Sequence, residues 1–192
     1  MKTIVWDIDD VLNDLMRDWF CRGWLPAHPD CKVTYEDIKE NPPHRILNIR
    51  LEEYLRSLDA FRAAEGPILE PVPESVGWFH AHGHNFRHIA LTSVPLRSAH
   101  ISAEWVMKHF GKWIRSFNMV PSPRADETIP AYDQNKGEFL EWWGRADLVV
   151  DDNTSTIEAA MGLGIQTAMM PRPWNTNPAS IPDTFDLIEE LF

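Results

Sequence analysis

Two short apolar runs, each ending in acidic residues, constrain this 192-residue chain more than any other feature. Ile4-Val5-Trp6 runs into Asp7-Ile8-Asp9-Asp10, and Leu148-Val149-Val150 runs into Asp151-Asp152. Short uninterrupted apolar runs predict strands buried on both faces, as in a parallel sheet. Around them, helical and strand patterns alternate. A helix is expected over about 10–24, where Val11, Leu12, Leu15, Trp19 and Phe20 recur at helical spacing and Gly23 and Pro26 mark the end. Further helices are expected over about 74–82, 98–110, 134–143, 154–161 and 185–191. Strands are expected over 87–91, ending at Thr92-Ser93, and over 116–120 and 165–170. This alternation predicts the α/β class: a Rossmann-like, doubly wound parallel sheet with helices on both faces.

Residues 25–72 break the pattern. They contain short amphipathic pieces over 35–39 and 51–58, separated by Asn41-Pro42-Pro43, and no long apolar run. The expected organisation is a core made of 1–24 and 73–192, with a small helical insertion over 25–72.

The formal net charge of −11 disfavours nucleic-acid polymers and anionic membrane surfaces as partners. Two cysteines, Cys21 and Cys31, without CxxC spacing, point to a reducing compartment. No segment has the apolar length of a leader or a membrane span, so a cytoplasmic location is expected.

In a parallel sheet the ligand site lies at the carboxyl ends of the strands. Asp7 and Asp9, Thr92 and Ser93, and Asp151 and Asp152 all fall there. Carboxylates crowded beyond buried strands repel one another, and a hard divalent cation with oxygen ligands, such as Mg²⁺, offsets that. Thr92 and Ser93 suit a phosphate, or serve as ordinary helix-entry residues. Lys136 opens a helix and, taken alone, reads as a solvated surface lysine; its order in the chain is what argues otherwise.

Taken in order, Asp7-x-Asp9, Thr92-Ser93, Lys136 and Asp151-Asp152 resemble the four motifs of the haloacid dehalogenase superfamily. The resemblance spans about residues 2–175, apart from the insertion, which matches the superfamily's helical cap. It implies a Mg²⁺-dependent phosphomonoester hydrolase. Asp7 would be the nucleophile that forms an aspartyl-phosphate, and Asp9 the acid and then the base. The cation would be held by Asp7, the Asp9 carbonyl and Asp152, with Asp151 close by; Thr92, Ser93 and Lys136 would bind phosphoryl oxygens. An acid at position 9 separates the chain from the family's dehalogenases, which lack one, and from its ion-pumping ATPases, which carry threonine.

Four short stretches are similar to the 5′(3′)-deoxyribonucleotidases: Phe61-Arg62, Pro71-Val72-Pro73, 104–111 and Pro173-Trp174-Asn175. They imply a small phosphorylated metabolite as substrate, with a (deoxy)nucleoside monophosphate as one candidate. Asp10 stands where those enzymes have glycine, Leu15 where they carry an aromatic, and the Lys136–Asp151 spacing is longer than theirs. A non-nucleotide phosphatase, a phosphomutase and a non-catalytic binding protein on the same fold are the alternatives. Phe61 is the expected substrate-facing aromatic, and Arg97 is expected at a second phosphate, at the cap or in solvent. Trp78, Trp105 and Trp142 are expected in the core, Trp19 and Trp24 in more open positions, and His80, His82, His84 and His88 on the surface.

Overall fold

The computed structural model describes residues 1–130 and 132–192. Five strands form one parallel sheet: β1 (Thr3–Trp6), β2 (Arg87–Val94), β3 (Ile114–Pro121), β4 (Leu148–Asp151) and β5 (Gln166–Met169). The spatial order is β3-β2-β1-β4-β5. The chain thus builds outward from β1 to one edge, returns to β4 on the other side of β1, and finishes at β5. That reversal beside β1 is the topological switch point at which open α/β sheets hold ligands.

Among the described residues the α-helices are α1 (Leu15–Asp18), α2 (Leu25–Ala27), α3 (Leu51–Glu65), α4 (Pro73–His82), α5 (Leu96–Phe110), α6 (Lys136–Trp143), α7 (Thr154–Gly162) and α8 (Ile181–Glu190). A π-helical stretch, Trp19–Trp24, joins α1 to α2. Among the described residues, no helix is long and apolar enough to cross a membrane. Between α2 and α4 the chain forms helices and loops and contributes no strand to the sheet.

β1 is central because its side chains are apolar on both faces. Ile4 and Trp6 pack in one layer with Trp78, Phe79, Phe110 and Phe185. Val5 points the other way, toward Leu91, Val149, Phe139, Leu140 and Ala160. Each such fully buried side chain contributes roughly 1.5–3 kcal/mol. Trp19 and Trp24 are buried in the first layer rather than open, and Trp142 is 74% exposed rather than in the core. Trp142 lies on α6 with Phe139 and Leu140 on its buried side, so the helix has no apolar face left for it.

His88 departs from the surface expectation for its histidine group. It is buried on β2, where Nδ1 accepts the Trp6 indole N–H at 3.0 Å and Nε2 donates to the Gly83 carbonyl at 2.8 Å. Both nitrogens are used by the neutral ring, and burial pushes its pKa down to about 4 against an opposing contribution from the Gly83 carbonyl. A depressed histidine pKa gives stability that is present at neutral pH and lost as the unfolded chain takes up the proton first. Between pH 7 and pH 5, His88 is expected to remove about 2 kcal/mol of stability. Urea unfolding of the wild type and His88→Gln at both pH values checks this. Equal pH slopes for the two proteins would contradict it.

The helix expected from position 10 begins only at Leu15. Asp10 has φ of 62°, in the left-handed region, and turns the chain instead of continuing it. Local hydrogen bonds hold the turn: the Asp10 and Leu15 N–H groups donate to Asn13 Oδ1, and the Met16 N–H donates to Asp10 Oδ1. Aspartate tolerates this conformation through such local bonds, at the position where the nucleotidases use glycine. The pieces expected over 51–58 are the first half of the longer α3, and β2 continues through Thr92 and Ser93 to Val94.

Candidate active site

The carboxyl ends of β1, β2 and β4 converge with the start of α6 on one cavity of about 450 Å³. Asp7, Asp9, Thr92, Ser93, Lys136 and Asp152 all line it. The Asp7 N–H donates to the Val150 carbonyl at 2.9 Å, which extends the β1–β4 pairing by one residue and fixes where Asp7 leaves the sheet. Its Oδ1 accepts the Ile8 N–H at 2.7 Å, and its Oδ2 lies 2.7 Å from Lys136 Nζ.

Lys136 is buried, not a solvated lysine. It occupies the first turn of α6, where the Asn135 side chain caps the helix by accepting from the Glu138 N–H. Phe139 and Leu140 anchor the same helix in the core. The ammonium also reaches Asp151 Oδ2 at 2.7 Å. Burial works against its charge, but Asp151 and Asp7 together outweigh burial and hold its pKa above the ordinary lysine value.

Asp7, Asp151 and Asp152 each present a carboxylate oxygen within 4.8 Å of the others. Burial, ahead of repulsion from Asp151, pushes the Asp152 carboxyl well above its usual range. For Asp7, burial again leads, Lys136 opposes it, and Asp151 and Asp152 add to the rise. Three buried carboxylates face one ammonium, so the cluster lacks positive charge. A hard divalent cation of the Mg²⁺ kind fits this oxygen donor set. The Asp9 carboxylate stands apart from the cluster: Oδ1 accepts from Asn13 Nδ2 at 3.2 Å and Oδ2 from Arg62 at 2.9 Å.

The loop after β5 clamps both acidic turns. Trp174 Nε1 donates to Asp152 Oδ2 at 2.6 Å, and Asn175 Nδ2 donates to the Asp152 carbonyl. Arg172 Nε donates to the Asp10 carbonyl at 2.6 Å, and its Nη1 lies 2.7 Å from Asp14.

Phe61 is placed elsewhere than expected, and of the places expected for Arg97 the structure gives the insertion, through Asp59 of α3, with part of the side chain in solvent. Phe61 packs its ring on Gly23, where an added Cβ would sit 2.9 Å from it, and does not line the cavity. Arg97, at the start of α5, does not line the cavity and pairs with Asp59, Asp126 and Glu127. The wall is built instead by Leu51, Tyr54, Leu55, Leu58 and Arg62 of α3, and by Ser122 and Arg124 after β3. The α3 residues recur at helical spacing, so a charged Arg62 on an otherwise apolar stripe was a readable signal. Arg124 sits in a polar loop without periodicity, and nothing local marks it.

The chain matches no protein-family model and no curated protein. Solved structures do resemble it. A candidate phosphoglycolate phosphatase from Lactobacillus delbrueckii subsp. bulgaricus is 14% identical with a TM-score of 0.61, over 98% of this chain and 97% of that one. A haloacid dehalogenase superfamily hydrolase of subfamily IA from Geobacter sulfurreducens is 13% identical with a TM-score of 0.55, over 98% and 96%. A candidate β-phosphoglucomutase from Thermotoga maritima is 16% identical with a TM-score of 0.53, over the whole of both chains. The fold is haloacid dehalogenase-like. At such identities the haloacid dehalogenase-like fold is what is shared, and the chemistry has to be argued from the side chains.

Proposed function

We propose that this protein is a Mg²⁺-dependent phosphomonoester hydrolase acting on a small, non-nucleotide phosphorylated metabolite. One observation carries the reading: a carboxylate after β1, a buried lysine from α6 and two carboxylates from the end of β4 cluster together, and Asp7, Lys136 and Asp152 of that cluster line one cavity with Asp9 and Thr92. Asp7 is the nucleophile, held by the Ile8 N–H and Lys136 with one face toward the cavity. Its attack forms an aspartyl-phosphate while the P–O bond to the leaving group breaks. Asp9, on the same turn, delivers the proton to the leaving oxygen and then takes one from the hydrolytic water. Lys136 and the Thr92 hydroxyl meet the negative charge spread over the phosphoryl oxygens. When bound, Mg²⁺ supplies the positive charge that the Asp7–Asp151–Asp152 cluster lacks and that a phosphate needs. The helices between α2 and α4 act as the cap that closes the site from water.

The non-nucleotide substrate is supported by the wall. Leu15 and Met16 line the cavity, and the one aromatic ring lining it among the described residues is Tyr54. Tyr54 is 2% exposed and meets Trp19 in a T-shaped contact, and a ring so buried offers no open face comparable to a base-stacking platform. Two of the similar structures are described as acting on small phosphorylated acids or sugars, in keeping with this reading. The nucleotide reading rests on short sequence stretches and fits this wall less well.

A panel of sugar phosphates, phosphorylated acids and nucleotides, assayed with Mg²⁺ and with chelator, tests the proposal. Phosphate release is expected with metal, at least about tenfold faster in kcat/KM for the small esters than for nucleotides. Faster turnover of nucleotides would reverse the substrate assignment, transfer between positions of one sugar would make the protein a mutase, and no turnover at all would leave a binding protein.

A further inference from the structure

The wall of the cavity beyond Asp9 is cationic in a way that the phosphoryl chemistry does not use. Arg62 is 6% exposed and Arg124 is similarly enclosed, and both line the cavity. Both depend on one buried carboxylate, Asp59, which stands behind them and not in the wall. Arg124 grips both Asp59 oxygens, from Nε at 2.7 Å and Nη2 at 2.8 Å. Arg62 Nη1 reaches Asp59 only at 3.3 Å, and Arg97 shares the same carboxylate at 3.2 Å. Among the described residues, Arg62 Nε has no hydrogen-bond partner. Its second anchor is Asp9 Oδ2 at 2.9 Å.

That second anchor is the group that the reaction needs elsewhere. A leaving oxygen that engages the Asp9 carboxyl competes with Arg62 for it, and Arg62 otherwise has only a third share of Asp59. A buried guanidinium left in that state is strongly unfavourable unless another anion reaches it. Water and the apolar residues Leu51, Leu55 and Leu58 on the same wall do not supply one. The substituent on the leaving oxygen is the group that lies next to Asp9, and therefore next to Arg62.

We infer that the leaving group carries a second anionic group, a carboxylate or a further phosphate a few bonds from the ester oxygen, received by Arg62 with Arg124 beside it. This rests on the phosphomonoesterase reading and narrows its substrate class. The guanidinium fork suits such a group: planar, permanently charged and able to bind two oxygens side by side. Arg62 is then a specificity residue that passes from Asp9 to the substrate, and Asp59 is the fixed counter-charge that positions both arginines.

Three esters of one chain length separate the possibilities: 3-hydroxypropyl phosphate, 3-phosphooxypropanoate and propane-1,3-diol bisphosphate. At least one charged ester is expected to exceed the neutral one by about tenfold or more in kcat/KM, chiefly through KM. Which of them does so distinguishes a carboxylate from a phosphate. Arg62→Gln is expected to erase the preference, whereas Arg62→Lys retains part of it. Equal kcat/KM for all three esters with the wild type overturns the inference and leaves the phosphatase reading standing. No turnover of any ester with Mg²⁺ overturns that reading and the inference with it. Because the wild-type series decides the matter alone, a variant that fails to fold does not rescue the idea. A folded Arg62→Gln protein that keeps the charged-ester preference also overturns it.

Discussion

Asp7→Asn is expected to leave the protein folded and to lower phosphate release by at least about a thousandfold. The amide keeps the shape of the carboxyl and can still receive the Ile8 N–H, but it has no charge with which to attack phosphorus. In the native chain that charge is maintained at a cost. Burial first, and then Asp151 and Asp152, raise the Asp7 pKa, while Lys136 opposes them. A carboxylate with a raised folded pKa gives stability below its unfolded pKa and loses it as pH rises through the folded value. Asn removes that loss, and Lys136 keeps its bond to Asp151 at 2.7 Å. Thermal melting in chelator is therefore expected to lie within a few degrees of the wild type. Retained turnover in Asp7→Asn would eliminate Asp7 as nucleophile. Absence of turnover in both proteins would instead support the non-catalytic reading.

Lys136→Met should give the largest loss of stability of any single change at the site. It removes the ammonium that lies 2.7 Å from both Asp7 and Asp151 and leaves that buried carboxylate pair without its ion-pair partner. Breaking a buried pair from one side costs about 3–5 kcal/mol. For a chain of this size that is a fall in melting temperature on the order of 10 °C, measured with chelator present. Mg²⁺ is expected to recover part of the fall, since a ligand held by the folded state stabilises it by mass action. Turnover should drop by about a hundredfold or more even at saturating metal, because a donor to the phosphoryl oxygens is missing. Adding Asp151→Asn to Lys136→Met should restore some of the lost stability by removing one uncompensated charge. Melting of Lys136→Met equal to that of the wild type in chelator would mean that the lysine is not the counter-charge of this cluster.

Much of the framework was legible along the chain, because it depends on local pattern. Apolar runs such as Leu148-Val149-Val150 become strands buried on both faces wherever helices cover them, and the polar residue that ends the run is left at the sheet edge. That rule puts Asp7, Asp9, Thr92 and Asp152 at one edge without reference to distance. Lys136 was legible only by its order, since a lysine at a helix start has no local mark of burial. The turn at Asp10 was hidden, because the helical spacing of Val11, Leu12 and Leu15 masks a left-handed residue that Asn13 makes tolerable.

What the chain by itself determined is the alternation of strands and helices, and hence a parallel sheet with acidic strand ends on one side. Tertiary structure alone decided which long side chains meet there. Arg62 finds Asp9 from 53 residues away, Arg124 finds Asp59 from 65, and Arg172 reaches the Asp10 carbonyl from 162. Periodicity encodes which face of an element is buried. It does not encode how the helix Leu51–Glu65 docks over the sheet, and a guanidinium on a flexible stem pairs with whatever carboxylate that docking brings within reach.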